Sequence, residues 1–235
     1  MRLLVTRPQP ECRRTAERIR ALGGEAIEAP MLITRVTAPA RFDLSGITGL
    51  AVTSGRTAGI LKNHAQAPEM KHLPVFTVGG RTAEAMAAAG FGTVVSADGD
   101  VRALAGLIAA SQPGGYLLYP CARDRAGDLE GDLAARGLRC DPVIVYETDP
   151  ARHVPADVLF ELRNGDIDGV LIYSRRSAEA FVNALKMADS IGSIKKIRTF
   201  AISPQAGEPL AGYTRVEAAA HPGEEALLQL ALSRC

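Results

Sequence analysis

The stretch GLAVTSGRTAGILK, residues 49–62, decides the fold: a short apolar run, a hydroxyl pair and then a helical sequence. Residues 169–182, GVLIYSRRSAEAFV, repeat this form 120 positions later. The apolar runs are too short for helices and are typical of buried strands. Each stretch therefore predicts a strand, a turn and a helix, which is the repeating unit of parallel α/β sheets.

Two further pairs of segments repeat in the same order. Residues 3–5 (LLV) match residues 117–119 (LLY), and residues 76–79 (FTVG) match residues 200–203 (FAIS). The three pairs are separated by 114, 120 and 124 positions, so their spacing drifts little along the chain. Their common order predicts two related halves, with chance similarity among α/β units as the alternative.

Each half predicts strands that alternate with helices, which is typical of parallel sheets covered on both faces. Residues 31–37 and 143–148 break this alternation, because each is extended and leads into no helix of its own. Both lie where one repeated block meets the next. They are therefore the candidates for strands that cross between two lobes.

The charge and the cysteine pattern exclude several classes of protein. The 235 residues include 27 Lys and Arg and 26 Asp and Glu, a formal charge of +1, which argues against a nucleic-acid binder. No apolar run approaches the roughly 18–20 residues that cross a bilayer, so we expect no membrane partner. The spacing of Cys12, Cys121, Cys140 and Cys235 fits neither a zinc site nor a disulfide framework, which predicts reduced thiols in a cytoplasmic protein.

Small polar residues stand at the carboxyl ends of four predicted strands. Ligands of parallel sheets bind beyond this edge. The helix that follows each strand exposes unpaired N–H groups and about half a positive charge, which attract carboxylate or phosphate. We therefore expect an anionic small molecule to bind at Thr53, Ser54, Gly79, Thr82, Ser174, Ser177 and Ser203. The alternative is that these hydroxyls only cap their helices.

Three arginines near the same strand ends are further candidates for binding the anion. Arg7 and Arg56 each follow closely on a predicted buried strand, and Arg123 follows the strand at residues 116–119. A guanidinium binds a carboxylate through two parallel N–H groups, so these positions suit an acidic ligand. A solvated surface position is the alternative for each arginine.

Familiar catalytic motifs are missing from the sequence. There is no phosphate-binding GxxxxGK[ST] loop, no GxGxxG dinucleotide fingerprint after the first strand and no GxSxG nucleophile turn. A nicotinamide-dependent oxidoreductase is therefore disfavoured. The histidines lie at no predicted strand end, and no carboxylate pair indicates a metal site. If the chain is an enzyme, we expect it to act by positioning its substrate and by local dipoles.

Six ordered segments of the chain resemble uroporphyrinogen-III synthases: LLVTRP (3–8), VTSGRTA (52–58), VGGRTAEAM (78–86), PVIVYET (142–148), LIYSRRSAEAF (171–181) and FAIS (200–203). The order and spacing of the segments carry the resemblance, which spans nearly the whole chain. It implies an α/β fold with two lobes of parallel sheets flanked by helices and joined by a two-stranded linker. One lobe would comprise residues 1–35 and 150–235 and the other residues 38–146, with linker strands at 33–38 and 145–150.

The resemblance also implies a reaction. The linear tetrapyrrole hydroxymethylbilane would be closed to uroporphyrinogen III in haem biosynthesis, with inversion of ring D and loss of water. It implies no cofactor and no metal, and we expect a monomer. Tyr146 matches the tyrosine that is proposed in this family to assist departure of the hydroxyl, and a tyrosine is a neutral donor at about pH 7. Its alternative role is that of a packed linker residue.

One position departs from the family pattern. Thr82-Ala83 has the hydroxyl that is typical of the family, but the second copy reads Gln205-Ala206-Gly207 and lacks it at Ala206. Ser203 is therefore the expected contact at that helix start. The competing functional hypothesis is a non-catalytic two-lobed protein that binds an anionic metabolite, for which Tyr146 would be unnecessary.

Overall fold

The computed structural model describes residues 1–233. The strands are β1 (Arg2–Val5), β2 (Glu25–Glu28), β3 (Leu32–Val36), β4 (Gly49–Val52), β5 (Val75–Thr77), β6 (Val94–Ser96), β7 (Tyr116–Ala122), β8 (Arg139–Pro150), β9 (Gly169–Ile172), β10 (Arg198–Ala201) and β11 (Arg215–Ala218). The helices are α1 (Glu11–Ala21), α2 (Gly55–Lys62), α3 (Ala67–Met70), α4 (Gly80–Ala88), α5 (Val101–Ser111), α6 (Leu129–Ala134), α7 (Ala156–Asn164), α8 (Arg175–Met187), α9 (Pro204–Gly207) and α10 (Glu224–Leu232).

The chain divides into two compact units. Unit 1 comprises Met1–Thr34 together with the chain from Asp149 onward, and unit 2 comprises Arg35–Thr148. Unit 2 is thus inserted into unit 1, and the chain passes between them along β3 and β8. Each unit has a sheet with an apolar core on both faces.

Unit 2 contains a six-stranded sheet in the order β3-β8-β7-β4-β5-β6. The ladders from β8 to β6 are parallel. On one face, residues of α2, α3 and α4 pack with Leu50 and Leu118, and on the other face residues of α5 and α6 pack with Leu117 and Tyr119. The strands read as continuous apolar runs because both faces of the sheet are buried.

Unit 1 contains a five-stranded parallel sheet in the order β11-β10-β9-β1-β2. Residues of α7, α8 and α9 pack with Val170 and Ile172 on one face, and residues of α1 and α10 pack with Leu171 and Phe200 on the other. The mostly parallel, helix-covered sheets confirm the predicted α/β fold class.

The two sheets share one strand order. Reading β6-β5-β4-β7-β8 against β11-β10-β9-β1-β2 places the three repeated segments of the sequence on equivalent strands. The order of strands along the chain reverses between β4 and β7 in unit 2 and between β9 and β1 in unit 1. Such switch points, at the carboxyl ends of the strands, are where open α/β sheets bind ligands.

The connecting strands β3 and β8 are neighbours and form part of the unit 2 sheet. β3 is the edge strand of the unit 2 sheet, and β8 pairs with β7 from Arg139 to Tyr146. Arg35 pairs with Glu147 and Thr37 donates to Val145, so β3 and β8 run antiparallel. β8 is twelve residues long, which allows it to pair with β7 on one side and with β3 on the other.

Local sequence explains where the elements begin and end. In α1, the buried Cys12, Ala16 and Ile19 recur at helical spacing, and Gly23 adopts a φ of +83° just beyond the end. α9 stops at Gly207, as expected from that glycine and Pro209, and a 3₁₀ turn follows at Glu208–Leu210. Strands β2 and β11 were missed by the sequence analysis, because each is a short, half-exposed edge strand of mixed polarity.

Candidate functional site

Four helices begin directly after strands that lie next to each other in their sheets. In unit 2 these are α2 after β4 and α4 after β5; in unit 1 they are α8 after β9 and α9 after β10. β4 pairs with β5, and β9 pairs with β10, so the two helix starts of each unit lie side by side at the carboxyl edge. The predicted polar residues of these strand ends are therefore brought together within each unit.

Three of the predicted serines cap these helices. The Ser54 Oγ accepts from the Arg56 N–H at 3.3 Å, the Ser174 Oγ from the Ser177 N–H at 3.1 Å, and the Ser203 Oγ from the Ala206 N–H at 3.3 Å. The capping alternative is thus part of the structure. A side-chain cap satisfies one N–H group of a first turn, and in α2 the Thr57 N–H also donates to the Ser54 carbonyl at 3.1 Å.

The start of α4 has no side-chain cap. Gly79 is its N-cap residue, and the Thr82 N–H donates to the Gly79 carbonyl at 3.0 Å, with the Thr82 side chain buried. A Cβ atom placed on Gly80 would lie 3.9 Å from the Asp98 Oδ1, so one carboxylate from the loop after β6 lies near this first turn. The start of α2 also packs against α4, because a Cβ on Gly55 would lie 3.4 Å from that of Ala85 in the middle of α4 and 4.0 Å from the Arg81 carbonyl oxygen in its first turn.

The distribution of acidic residues separates these four helices from the others. Within residues 1–233, α2, α4, α8 and α9 have no Asp or Glu at the N-cap or in the first turn. Each of the other six helices has at least one: Glu11, Glu69, Asp100, Asp128, Asp157 and Glu224 are examples. An acidic first turn neutralises the positive end of a helix, and at these four helices the only acidic group described above near a first turn is Asp98, beside α4.

Tyr146 lies at a β-bulge in unit 2. Cys121 pairs with Ile144 but Ala122 pairs with Tyr146, so β8 contains one extra residue, Val145, against β7. The bulge interrupts the alternation of β8, and Val145 and Tyr146 both belong to the same apolar cluster. Tyr146 is 7% exposed. Tyr146 is therefore packed, as its alternative role of a linker residue requires. It also lies at a β-bulge, a backbone irregularity that redirects side chains beside active sites.

Glu147, the next residue, was missed by the sequence analysis. This carboxylate is buried, and it forms ion pairs with Arg123 and, at 3.1 Å, with Arg35 of β3. The Arg123 N–H also donates to the Tyr146 carbonyl at 3.0 Å. Arg123 thus connects the end of β7 to both residues of the bulged segment, while its side chain stays exposed. A carboxylate directly after the apolar run VIVY (143–146) was the available signal.

Arg7 belongs to a polar network in unit 1. Its Nη1 lies 3.1 Å from the Thr15 Oγ1 and 2.9 Å from the Glu224 Oε1, and its guanidinium lies 4.2 Å above the ring of Tyr173. The Tyr173 hydroxyl donates to the same carboxylate at 3.3 Å, and burial raises the pKa of Tyr173 to about 12. Arg7 therefore has intramolecular partners of its own. Neither Tyr173 nor Glu224 was identified from the sequence, since their meeting depends on the fold.

Unit 2 has a related network at its switch point. The Thr53 Oγ1 lies 3.0 Å from the Tyr119 hydroxyl, and the guanidinium of Arg125 lies 5.6 Å from the Tyr119 ring centroid while pairing with Glu130. Burial raises the pKa of Tyr119 to about 12, so this phenol stays protonated near neutral pH. Thr53 is therefore held in place by a neighbouring strand. Arg56 lies half-buried in the first turn of α2.

The described cysteines are free thiols. Burial raises the pKa of Cys12 and Cys140 to about 12, and it raises that of Cys121 as well. Thiols of this kind are poor nucleophiles near neutral pH, because the thiolate is the reactive form. The prediction for Cys235 lies outside the described residues. Residues 1–233 contain no group of three His, Cys, Asp or Glu side chains arranged to hold a metal ion.

These features define a class: an α/β protein of two units, each with a doubly wound, mostly parallel sheet and with helix starts at its carboxyl edge whose first turns lack acidic residues. Residues 13–229 match the family model described as uroporphyrinogen-III synthase HemD. The chain belongs to the uroporphyrinogen-III synthase family, whose members are cyclising hydro-lyases of tetrapyrrole biosynthesis. The resemblance noted from the sequence is thereby confirmed.

Solved structures show the same fold. Uroporphyrinogen-III synthetase from Helicobacter pylori 26695 is 17% identical, with a TM-score of 0.64 over 99% of this chain and 99% of that chain. A mutant uroporphyrinogen III synthase from the extremely thermophilic bacterium Thermus thermophilus is 16% identical, with a TM-score of 0.56 over 100% and 98%. A comparison with curated proteins gives no match. In the described part of the chain, no helix has the length and apolar character needed to span a membrane.

Proposed function

We propose that this chain closes hydroxymethylbilane to uroporphyrinogen III, with inversion of ring D and release of water. Membership of the family over residues 13–229 supports the reaction class. The observation that carries the substrate assignment is the set of four helix starts without an acidic residue, at the carboxyl edges where parallel sheets bind ligands. A linear tetrapyrrole with eight carboxylates is an anion that such dispersed partial charges would bind.

The proposed binding residues would offer hydrogen-bond donors to the carboxylates of the substrate. The first turns of α2, α4, α8 and α9 would offer backbone N–H groups beside Ser54, Thr82, Ser174 and Ser203. Arg123 would bind a carboxylate with the guanidinium donors that its pair with Glu147 leaves available, since a guanidinium has five. Arg7 would bind a carboxylate in the same way, or would act indirectly by fixing the position of the Tyr173 ring. The further proposed contacts are Thr53, Arg56, Gly79 and Ser177.

In the proposed chemistry, the C–O bond at the hydroxymethyl end of ring A breaks first. Tyr146 donates its hydroxyl proton to the departing oxygen, which leaves as water, and the electron pair of the pyrrole nitrogen gives an azafulvene. Ring D attacks through its substituted carbon to give a spiro intermediate, which rearranges and loses a proton to become aromatic. The protein's main contribution is geometric, because it must hold four flexible rings so that only this closure is reached.

The test is the identity of the product isomer. The purified chain is incubated with freshly prepared hydroxymethylbilane, the products are oxidised to porphyrins, and isomers I and III are separated. We expect type III to dominate, and only type I with a heat-inactivated control. Type I alone from the active chain would contradict the proposal and would be the result for a non-catalytic binder of anionic metabolites.

We also propose that the chain acts as a cytoplasmic monomer without metal or cofactor. The described thiols are free, as is typical of a reducing compartment. The isomer assay in the presence of EDTA, on protein whose mass in solution has been measured by light scattering, tests these points together. Loss of type III product with EDTA, or activity only in a dimer fraction, would contradict them.

A further inference from the structure

The strongest feature outside the predicted site is the buried carboxylate beside Tyr146. The Glu147 side chain is 10% exposed, yet it carries an ionisable group that two arginines must compensate. Burying an ion pair seldom adds net stability over apolar packing of the same volume. A role in fixing the local backbone geometry therefore explains the ion pairs of Glu147 better than a gain in stability does.

The two arginines come from different strands. Arg35 lies on β3 and Arg123 directly follows β7, so the Glu147 carboxylate connects both neighbours of β8 at one level of the sheet. The backbone is held on both sides as well: the Thr37 N–H donates to the Val145 carbonyl at 2.9 Å, and the Arg123 N–H donates to the Tyr146 carbonyl at 3.0 Å. Together these contacts form a clamp on the segment Val145–Glu147.

The clamp lies where the ladder alone is weakest. At the bulge, β8 has one more residue than β7, so the regular hydrogen bonds do not determine the register by themselves. A slip of one residue in a strand would send each side chain to the opposite face. Tyr146 would then leave the apolar cluster in which it is packed.

We infer that Glu147 is a positioning residue for Tyr146: through Arg35 and Arg123 it fixes the bulged segment Val145–Glu147 of β8 and hence the direction of the Tyr146 hydroxyl. This inference rests on the proposed function. Glu147 takes no part in proton transfer itself. Its loss should therefore lower kcat through Tyr146, whereas any change in KM would come from Arg123, which is also a proposed substrate contact.

The test is a double-mutant cycle on type III formation, with Glu147→Gln, Tyr146→Phe and the double variant. We expect Glu147→Gln to lower kcat about tenfold, and to lower it no further in the Tyr146→Phe background, because coupled residues are not additive. Glu217→Gln is the matched control: it removes a carboxylate of similar burial that pairs with two arginines, Arg198 and Arg215, in unit 1, and it should leave kcat unchanged.

A second variant covers the case in which Glu147→Gln does not fold. Arg35→Gln removes only one partner, from an exposed position, and should lower kcat in the same direction but less. The inference would be overturned if Glu147→Gln lowered kcat by the same factor with and without Tyr146→Phe. It would also be overturned if Glu147→Gln left kcat unchanged. Absence of type III product from the unmodified chain would instead overturn the proposed function, so the two failures are distinguishable.

Discussion

Arg7 and Glu224 form an ion pair of 2.9 Å although 217 positions separate them in the sequence. The contact joins the end of β1 to the first residue of α10. Arg18 of α1 binds the other carboxylate oxygen at 2.7 Å, and Thr15 also bonds to Glu224. One carboxylate therefore connects β1, α1 and α10 on one face of the unit 1 sheet.

Replacing Glu224 should make unit 1 less stable in a pH-dependent way. Partial burial by itself would raise the pKa of Glu224, but the Thr15 hydrogen bond and the charges of Arg7 and Arg18 outweigh it and lower this pKa. The stabilisation is therefore complete above the ordinary glutamate pKa of about 4.3 and is lost as the pH falls through the lower folded-state value. Because solvent screens the group, Glu224→Gln should cost only about 1 kcal/mol at pH 7.

Urea unfolding at pH 7 and pH 3 measures this difference. The difference in unfolding free energy between the native chain and Glu224→Gln should become smaller at the lower pH, because the lowered pKa of Glu224 makes its contribution fall with pH. Glu225→Gln, at the exposed neighbouring position, should have no effect at either pH. A gap that stays the same at both values of pH would show that the charge of Glu224 is not the source.

Removing the Tyr146 hydroxyl should slow the proposed reaction without unfolding the protein. General-acid assistance contributes about 10²- to 10⁴-fold in rate, so Tyr146→Phe should lower kcat by roughly 10²-fold, with little change in KM. Steady-state kinetics of type III formation measure the effect. Tyr116→Phe, at the start of β7 in the same unit, is the control and should retain full activity. Normal turnover by Tyr146→Phe would leave Tyr146 with the packing role alone.

The cap of α8 allows stability and anion binding to be separated. Ser174→Ala should cost about 1 kcal/mol of stability, whereas Ser174→Asp should restore the cap, because aspartate caps as well as serine does. The added charge would nevertheless repel a carboxylate at this helix start, raising KM by about fivefold for about 1 kcal/mol of repulsion.

Thermal unfolding and KM are measured on both Ser174 variants. Asp100→Ser at the start of α5, which exchanges an acidic cap for a neutral one outside the proposed site, should leave KM unchanged. If Ser174→Asp binds substrate as well as the native chain does, the α8 start is not part of the binding site.

Gly169 should tolerate no side chain. A Cβ atom there would lie 2.8 Å from the Phe200 Cε2 and 3.0 Å from the Arg198 carbonyl oxygen, inside a sheet covered on both faces. Overpacking of this kind costs about 1–3 kcal/mol, so Gly169→Ala should lower the free energy of unfolding by that amount. Gly212→Ala, where nothing lies within 4 Å, should change it by less than about 0.5 kcal/mol. Equal effects of the two substitutions in urea unfolding would contradict the packing argument.

Periodic elements with strong end signals could be predicted from the sequence. The strands at residues 49–52 and 169–172 follow from their apolar runs, and α8 follows from Ala178, Phe181, Val182 and Leu185 at helical spacing. The polar edge strands β2 and β11 could not be predicted in this way, because their place depends on the neighbours they pair with. The same reason explains why β8 is longer than the extended run predicted at residues 143–148.

By itself, the sequence determined the alternating α/β pattern, its repetition, the ordered motifs of the family and the hydroxyl residues at the helix starts. These are local properties, encoded in the spacing of apolar residues and in the residues that end each element. Only the tertiary structure decided that Glu147 connects Arg35 with Arg123, that Arg7 is held by Glu224, and that a bulge precedes Tyr146. Each of these depends on strand pairing or on long-range ion pairs between distant residues, and no local pattern specifies which partner a side chain will meet.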